Sequence, residues 1–226
     1  MTNGVNVKSF MDRVYEKKID KNMMYYDYIF PFDDVLAYVK NVCEIDVSDI
    51  VSYVLSMPSP EITSHDIFQF SNFNDATLRL CELIREANDP GLKHLEIGKL
   101  LLDDGIARKD GAYTKYGENH VKTGESLGLV FELSKTYFLT CIGEIYPDLS
   151  EDTCRKLLTR LLLRNRFISR IISATSNGNV QMRQFLYMLS DSTYERRRSN
   201  IRTVIKELTK TTEYDFSFLK ERLIFK

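Results

Sequence analysis

The chain has 226 residues, of which 43% are hydrophobic, and a formal net charge of −1. That apolar share supplies real cores and excludes a disordered chain, while no apolar run approaches the ~20 residues needed to span a bilayer. The near-neutral total conceals a division: residues 153–226 carry 16 Lys/Arg against 6 Asp/Glu, whereas residues 1–152 carry 15 against 26, which points to a polyanion-binding surface at the C-terminal end.

Residues 1–74 are acidic and rich in aromatics. A short helix is expected over Val7–Lys18. The run from Asn22 to Asp34 holds Tyr25, Tyr26, Tyr28, Phe30 and Phe32, and Asp33 is placed to cap a helix carrying Val35, Leu36, Val39 and Val42. Ser48–Met57 reads as a further helix that stops before Pro58-Ser59-Pro60, and Ser64–Phe73 as a connector.

From Asn74 the periodicity sharpens. Asn74 or Asp75 is expected to cap a helix with Leu78, Cys81, Leu83, Ile84 and Ala87 on one side, ended by Asn88-Asp89-Pro90-Gly91. A second helix follows with Leu92, Leu95, Ile97, Leu100 and Leu101 inward, closed by Asp103-Asp104-Gly105, and a third, polar one spans about Thr114–Leu127. Gly117 and Gly124 weaken that third helix by about 1 kcal/mol each relative to Ala. Val130–Thr140 then alternates around a Ser134-Lys135 turn, as a hairpin does.

A similar order is expected again. Ser150 caps a long helix over Asp152–Ala174, with Leu157, Leu161, Leu162, Ile168 and Ile172 inward and Arg155, Lys156, Arg160, Arg164 and Arg170 largely outward. Its apolar stripe suits a domain core better than a membrane surface, so no membrane partner is expected. Ser176–Asn179 breaks the chain; Val180–Leu189 is expected as a helix with Met182, Phe185, Leu186 and Leu189 inward; Ser190-Asp191-Ser192 is the turn and cap of a last helix over Thr193–Leu208. Tyr214–Leu219 alternates as a strand does.

Helix, helix, helix, hairpin is the order of a winged helix, whose third helix enters the major groove. The expected fold is therefore mainly α with small β-hairpin wings. It comprises a helical N-terminal region (1–74), a first winged-helix unit (75–149) and a second, basic one (150–226), a tandem arrangement read from pattern alone. In the second unit Arg196, Arg197, Arg198, Ser199, Asn200 and Arg202 occupy the N-terminal half of the third helix, with Lys206 beyond. Arg pairs bidentately with guanine and Asn with adenine, so Arg197 and Asn200 are the expected base readers, and Arg196 and Arg202 read bases or hold phosphates. In the first unit Lys115, Asn119 and Lys122 are the corresponding candidates, on a helix that suits DNA or a docked protein equally.

Four cysteines stand far apart with no CxxC pair, and no secretory signal pattern is present, which reads as reduced thiols in a cytoplasmic protein. The three histidines form no ligand motif, and neither a metal nor a cofactor is expected. Glu96 and Lys99 near Asp89 only approximate a restriction-nuclease site, Gly117–Thr123 only approximates a phosphate loop, and no active site is found. With no catalytic motif present, a binding protein is expected rather than an enzyme.

Gly128-Leu129-Val130, then Lys135-Thr136-Tyr137-Phe138-Leu139-Thr140 and Gly143, resembles the third-helix end and wing of prokaryotic winged-helix modules in restriction-modification and related defence proteins, including the recognition halves of some type IIS restriction endonucleases. Ser192–Arg202 is similar to the Arg-rich helix of a second such module. The resemblance covers about residues 75–210. It implies recognition of double-stranded DNA, with a nuclease or ATPase on another chain met through the N-terminal region. Two alternatives stand beside it. One is a protein–protein adaptor built on winged-helix folds. The other is a nuclease subunit with a metal site among Asp33, Asp34, Glu44, Asp46 and Asp49.

Overall fold

The backbone of a computed structural model describes residues 5–15, 32–87 and 91–225. These residues are mainly helical with a small two-stranded antiparallel sheet. The described residues divide into two units, one holding residues 5–15, 37–68 and 151–225, the other 32–36, 69–87 and 91–150. The acidic N-terminal region is thus shared out between them.

In the first of these units, α1 (Val7–Tyr15), most of α2 (Phe32–Glu44) and α3 (Val47–Ser56) precede the C-terminal helices. Asp46 starts α3 by accepting the Ser48 N–H at 2.7 Å, a local cap on an orphan donor. The helix α2 begins at Phe32, so Asp33 lies within it rather than before it. The aromatic run from Asn22 to Pro31 lies outside the described residues.

The helix expected over Asp152–Ala174 is two helices, α8 (Glu151–Arg164) and α9 (Arg166–Ser176). Asn165 ends the first and caps the second, its side-chain oxygen accepting from Phe167 N (3.0 Å) and Ile168 N (3.4 Å). The break turns α9 so that Phe167, Ile168, Ile171 and Ile172 are all buried, and α9 packs against α3, α8 and α1. Arg160, expected on the solvent side, is 1% exposed.

Val180–Leu189 is not a regular helix. A two-residue strand β3 (Val180–Gln181) leads into a single turn α10 (Met182–Phe185), closed by Leu186 N–H to Met182 O at 3.0 Å. Ser190 then caps α11 (Asp191–Leu208), which buries Tyr194, Ile201, Val204, Ile205 and Leu208. The expected strand at Tyr214–Leu219 is a turn followed by α12 (Ser217–Arg222), because Asp215 accepts the Ser217 N–H at 2.9 Å and starts a helix instead. The strand lies just beyond, as β4 (Leu223–Ile224), parallel to β3 in the register Val180↔Leu223 and Gln181↔Ile224. Among its described residues this unit carries no antiparallel hairpin, and their element order differs from that of the other unit.

In the other unit, α4 (Leu78–Glu86), α5 (His94–Leu101) and α6 (Asp110–Ser126) precede β1 (Val130–Leu133) and β2 (Thr136–Leu139), which are followed by α7 (Cys141–Ile145). The helix α4 starts later than Asn74 because Ala76 and Thr77 direct their amides into tight turns on Phe73 and Asn74. The hairpin turns at Ser134 and Lys135, both left-handed (φ 51° and 65°), as a two-residue turn between twisted strands requires. Leu92, between α4 and α5, bridges antiparallel to Tyr137, so the first connection also touches the hairpin. Leu80, Ile84, Ile97, Val121, Val130 and Tyr137 form the core. The helices α5 and α6 meet at glycines: a Cβ on Gly98 would overlap the Tyr113 carbonyl, and one on Gly117 the His94 carbonyl. Gly117 is thus a requirement of the crossing, not merely a weak point of its helix.

Candidate nucleic-acid interface

The sequence candidates on α11 separate by burial. Arg197 and Asn200, expected at base edges, face inward. Asn200 is buried, and Arg197 is half-buried, donating through Nη1 to the carbonyl oxygens of Ser64 and, at 3.2 Å, Ile67. Burial, and then the neighbouring Arg196 charge, lower the pKa of Arg197. Its role is to hold the segment before residue 69, and that removes it from a groove-reading position. Arg198 pairs with Glu195 at 2.8 Å.

What faces out is a row of Arg196, Ser199, Arg202 and Lys206, all exposed and three or four residues apart. Among the described residues none of its three cations pairs with a carboxylate. Arg196 has only a 3.5 Å contact to Thr193 Oγ1, and Arg202 lies over the Phe225 ring, 4.7 Å from its centroid. At 1.5 Å per residue, the row from Arg196 to Lys206 is about 15 Å long. A row of cations without carboxylate partners gives that face of the helix a positive potential, which is chemically suited to a polyanion.

The helix α6 differs. Lys115 and Lys122 are exposed, but both donate to Glu118, Lys115 at 2.8 Å. Burial works against the Glu118 charge, yet the two lysine hydrogen bonds outweigh it and hold the carboxyl at about 2. The three side chains form a closed charge cluster. Asn119 accepts from Gln69 Nε2 at 2.6 Å, so it too is engaged within its unit.

Next to it, His120 is fully buried and joins α6 to the entering segment. Tyr116 O, 2.7 Å from Nδ1, only accepts, so Nδ1 carries the proton. Nε2 is therefore bare and accepts from Ser71 N (3.3 Å) and Asn72 N (3.4 Å). Burial lowers the pKa of His120 against smaller opposing effects of the Tyr116 carbonyl and Asp75.

Glu96 accepts the Lys93 N–H at 2.7 Å and Lys99 pairs with Asp110 at 3.2 Å, so these two members of the nuclease-like fragment cap a helix and pair on the surface, while Asp89 lies outside the described residues. Burial pushes the Cys43 thiol up to about 11, leaving it a poor nucleophile at neutral pH. Among the described residues no three His, Cys, Asp or Glu converge as metal ligands, and no helix is long and apolar enough to cross a membrane.

Sequence reasoning found the row on α11 but missed Phe225, whose contact with Arg202 depends on the β3–β4 pairing and leaves no local signal. Comparison with family models, curated proteins and solved structures finds no match for this chain.

Proposed function

We propose that this protein binds nucleic acid, with double-stranded DNA as the ligand, through the outward face of α11. The observation that carries the reading is the row of Arg196, Ser199, Arg202 and Lys206 without neutralising carboxylates among the described residues. Three cations over about 15 Å suit two or three consecutive phosphates of one strand, and Ser199 adds a neutral donor. Base reading by Arg197 and Asn200 is not part of the proposal. What remains is mainly backbone binding, to which Arg196 and Arg202, near the N-terminal half of α11, add the capacity to reach base edges.

The other unit supports the winged-helix reading by its order of elements and by the Leu92–Tyr137 bridge, which joins the first connection to the hairpin. A second role is favoured for it. Glu118 engages both lysines of α6 and halves their combined charge, so that helix suits a protein partner better than a phosphate backbone. In this account one unit holds DNA and the other docks a partner, as a recognition component of a restriction-type or regulatory system does.

The test is binding of the full chain to random-sequence 20-bp duplex DNA, by fluorescence anisotropy across salt. Three neutralised phosphates give a slope of log K against log salt near about −2.7, or about a fortyfold loss of affinity from 50 to 200 mM. No binding at 50 mM would overturn the proposal.

A further inference from the structure

We propose that Phe225 is a positioning residue for the DNA-binding row: its ring holds the Arg202 guanidinium in place for a phosphate or base edge. The inference rests on the reading of α11 as the nucleic-acid surface and adds a residue far from it in sequence.

Three observations meet here. Arg202 is exposed in the middle of the row and engages no carboxylate among the described residues. Its guanidinium carbon lies 4.7 Å from the Phe225 ring centroid, within cation–π range. Phe225 is half-buried and follows β4 directly, and β4 is fixed to β3 by the pairs Val180↔Leu223 and Gln181↔Ile224. The backbone that leads to the ring is therefore held by strand pairing up to the residue before it.

A guanidinium over an aromatic ring keeps its charge, and the N–H donors directed away from the ring stay available. The ring thus restricts a long, rotamer-rich side chain without consuming the groups that bind phosphate. An ion pair with a carboxylate would restrict it equally but would neutralise the charge and occupy the donors; Lys115 and Lys122 spend donors in this way on the single Glu118 carboxylate. Restriction before binding lowers the ordering cost on contact. Arg196 and Lys206 have no ring contact among the described residues, so Arg202 is the pre-organised member of the row.

The experiment compares Phe225→Leu, Phe225→Tyr and Arg202→Ala with the wild-type chain on the same 20-bp duplex DNA, measuring affinity and its salt slope. Leu keeps apolar bulk beside β4 but removes the π face; Tyr keeps the face. The expected result is that Phe225→Leu weakens binding about two- to fivefold, the range of an exposed cation–π contact, with the slope unchanged because the charge remains. Phe225→Tyr binds as wild type, and Arg202→Ala both weakens binding and reduces the slope by about 0.9. Wild-type affinity in Phe225→Leu, alongside weakened binding in Arg202→Ala, overturns this inference and leaves the DNA-binding reading standing. Loss of affinity in both Leu and Tyr variants overturns it too, because that result marks a packing role. No binding by the wild-type chain overturns the reading itself and the inference with it.

Discussion

Replacing Arg160 with Met should destabilise the unit that contains it far more than any exposed arginine substitution does. Arg160 Nε and Nη2 donate to Ile45 O at 3.1 and 2.6 Å, Nη1 donates to Lys156 O at 3.0 Å, and Nη1 and Nη2 each reach a Glu213 carboxylate oxygen at 2.8 Å. Met matches the volume but makes none of these bonds. The Ile45 carbonyl is then left without its two donors, at about 1–3 kcal/mol. Glu213 keeps 28% side-chain exposure and regains water, so its share falls below the ~3–5 kcal/mol of a fully buried broken pair. The sum is a loss of about 2–4 kcal/mol. Glu213→Gln, which leaves the buried guanidinium without its counter-charge, should cost a comparable amount, and the double variant should lose less than the two singles added. Urea unfolding is the assay, with the midpoint falling by about 1–2 M at an unchanged slope of roughly 2 kcal/mol per M. A loss below about 1 kcal/mol for Arg160→Met would refute the reasoning.

Three further outcomes are expected. His120 must remain neutral to accept from Ser71 and Asn72. Its folded pKa lies below the unfolded value of about 6.5, so its contribution is intact above that pH and is lost as pH falls toward the folded pKa, at up to about 1.4 kcal/mol per pH unit. Urea unfolding at pH 7.5 and 5 reads this, and a His120→Gln chain showing the same pH sensitivity would exclude His120 as its source. Gly117→Ala and Gly98→Ala should lower stability despite a helix-propensity gain of about 1 kcal/mol, because each Cβ meets backbone, whereas Gly111→Ala, with open space around it, should be neutral or stabilising; thermal melts distinguish the signs. Lys115→Ala with Lys122→Ala should leave the salt slope of DNA binding unchanged, and a reduced slope would place α6 on the DNA.

The parts of the fold legible in sequence were those with a local cause. Ser134-Lys135 between alternating residues marked the hairpin, and Ser190 before Tyr194, Ile201, Val204 and Leu208 marked α11. Asn165 was hidden because the apolar period continues from Leu161 to Ile168 across the break, so only the side-chain cap reveals it. Tyr214–Leu219 alternates, yet Phe216 and Leu219 are buried at a spacing of three, and the Asp215 contact decides for a helix. Arg160 falls on the polar side by periodicity, but α8 packs against α1, α3, α9 and α11, and a helix so surrounded has little polar face left. On α11 the needed signal was present: Arg197 stands four residues before Ile201 and seven before Val204, so it shares their inward face. The density of the basic run masks that spacing. Charge density marks the basic run, and burial separates its outward residues from its inward ones.

The most direct test of the central claim compares Arg196→Ala/Arg202→Ala/Lys206→Ala with the wild-type chain on random duplex DNA at 50 mM salt. If α11 presents the DNA-binding row, the triple variant loses nearly all salt-dependent affinity while its urea midpoint stays at the wild-type value. Wild-type affinity and slope in the folded triple variant would contradict the account and place the DNA elsewhere on the molecule.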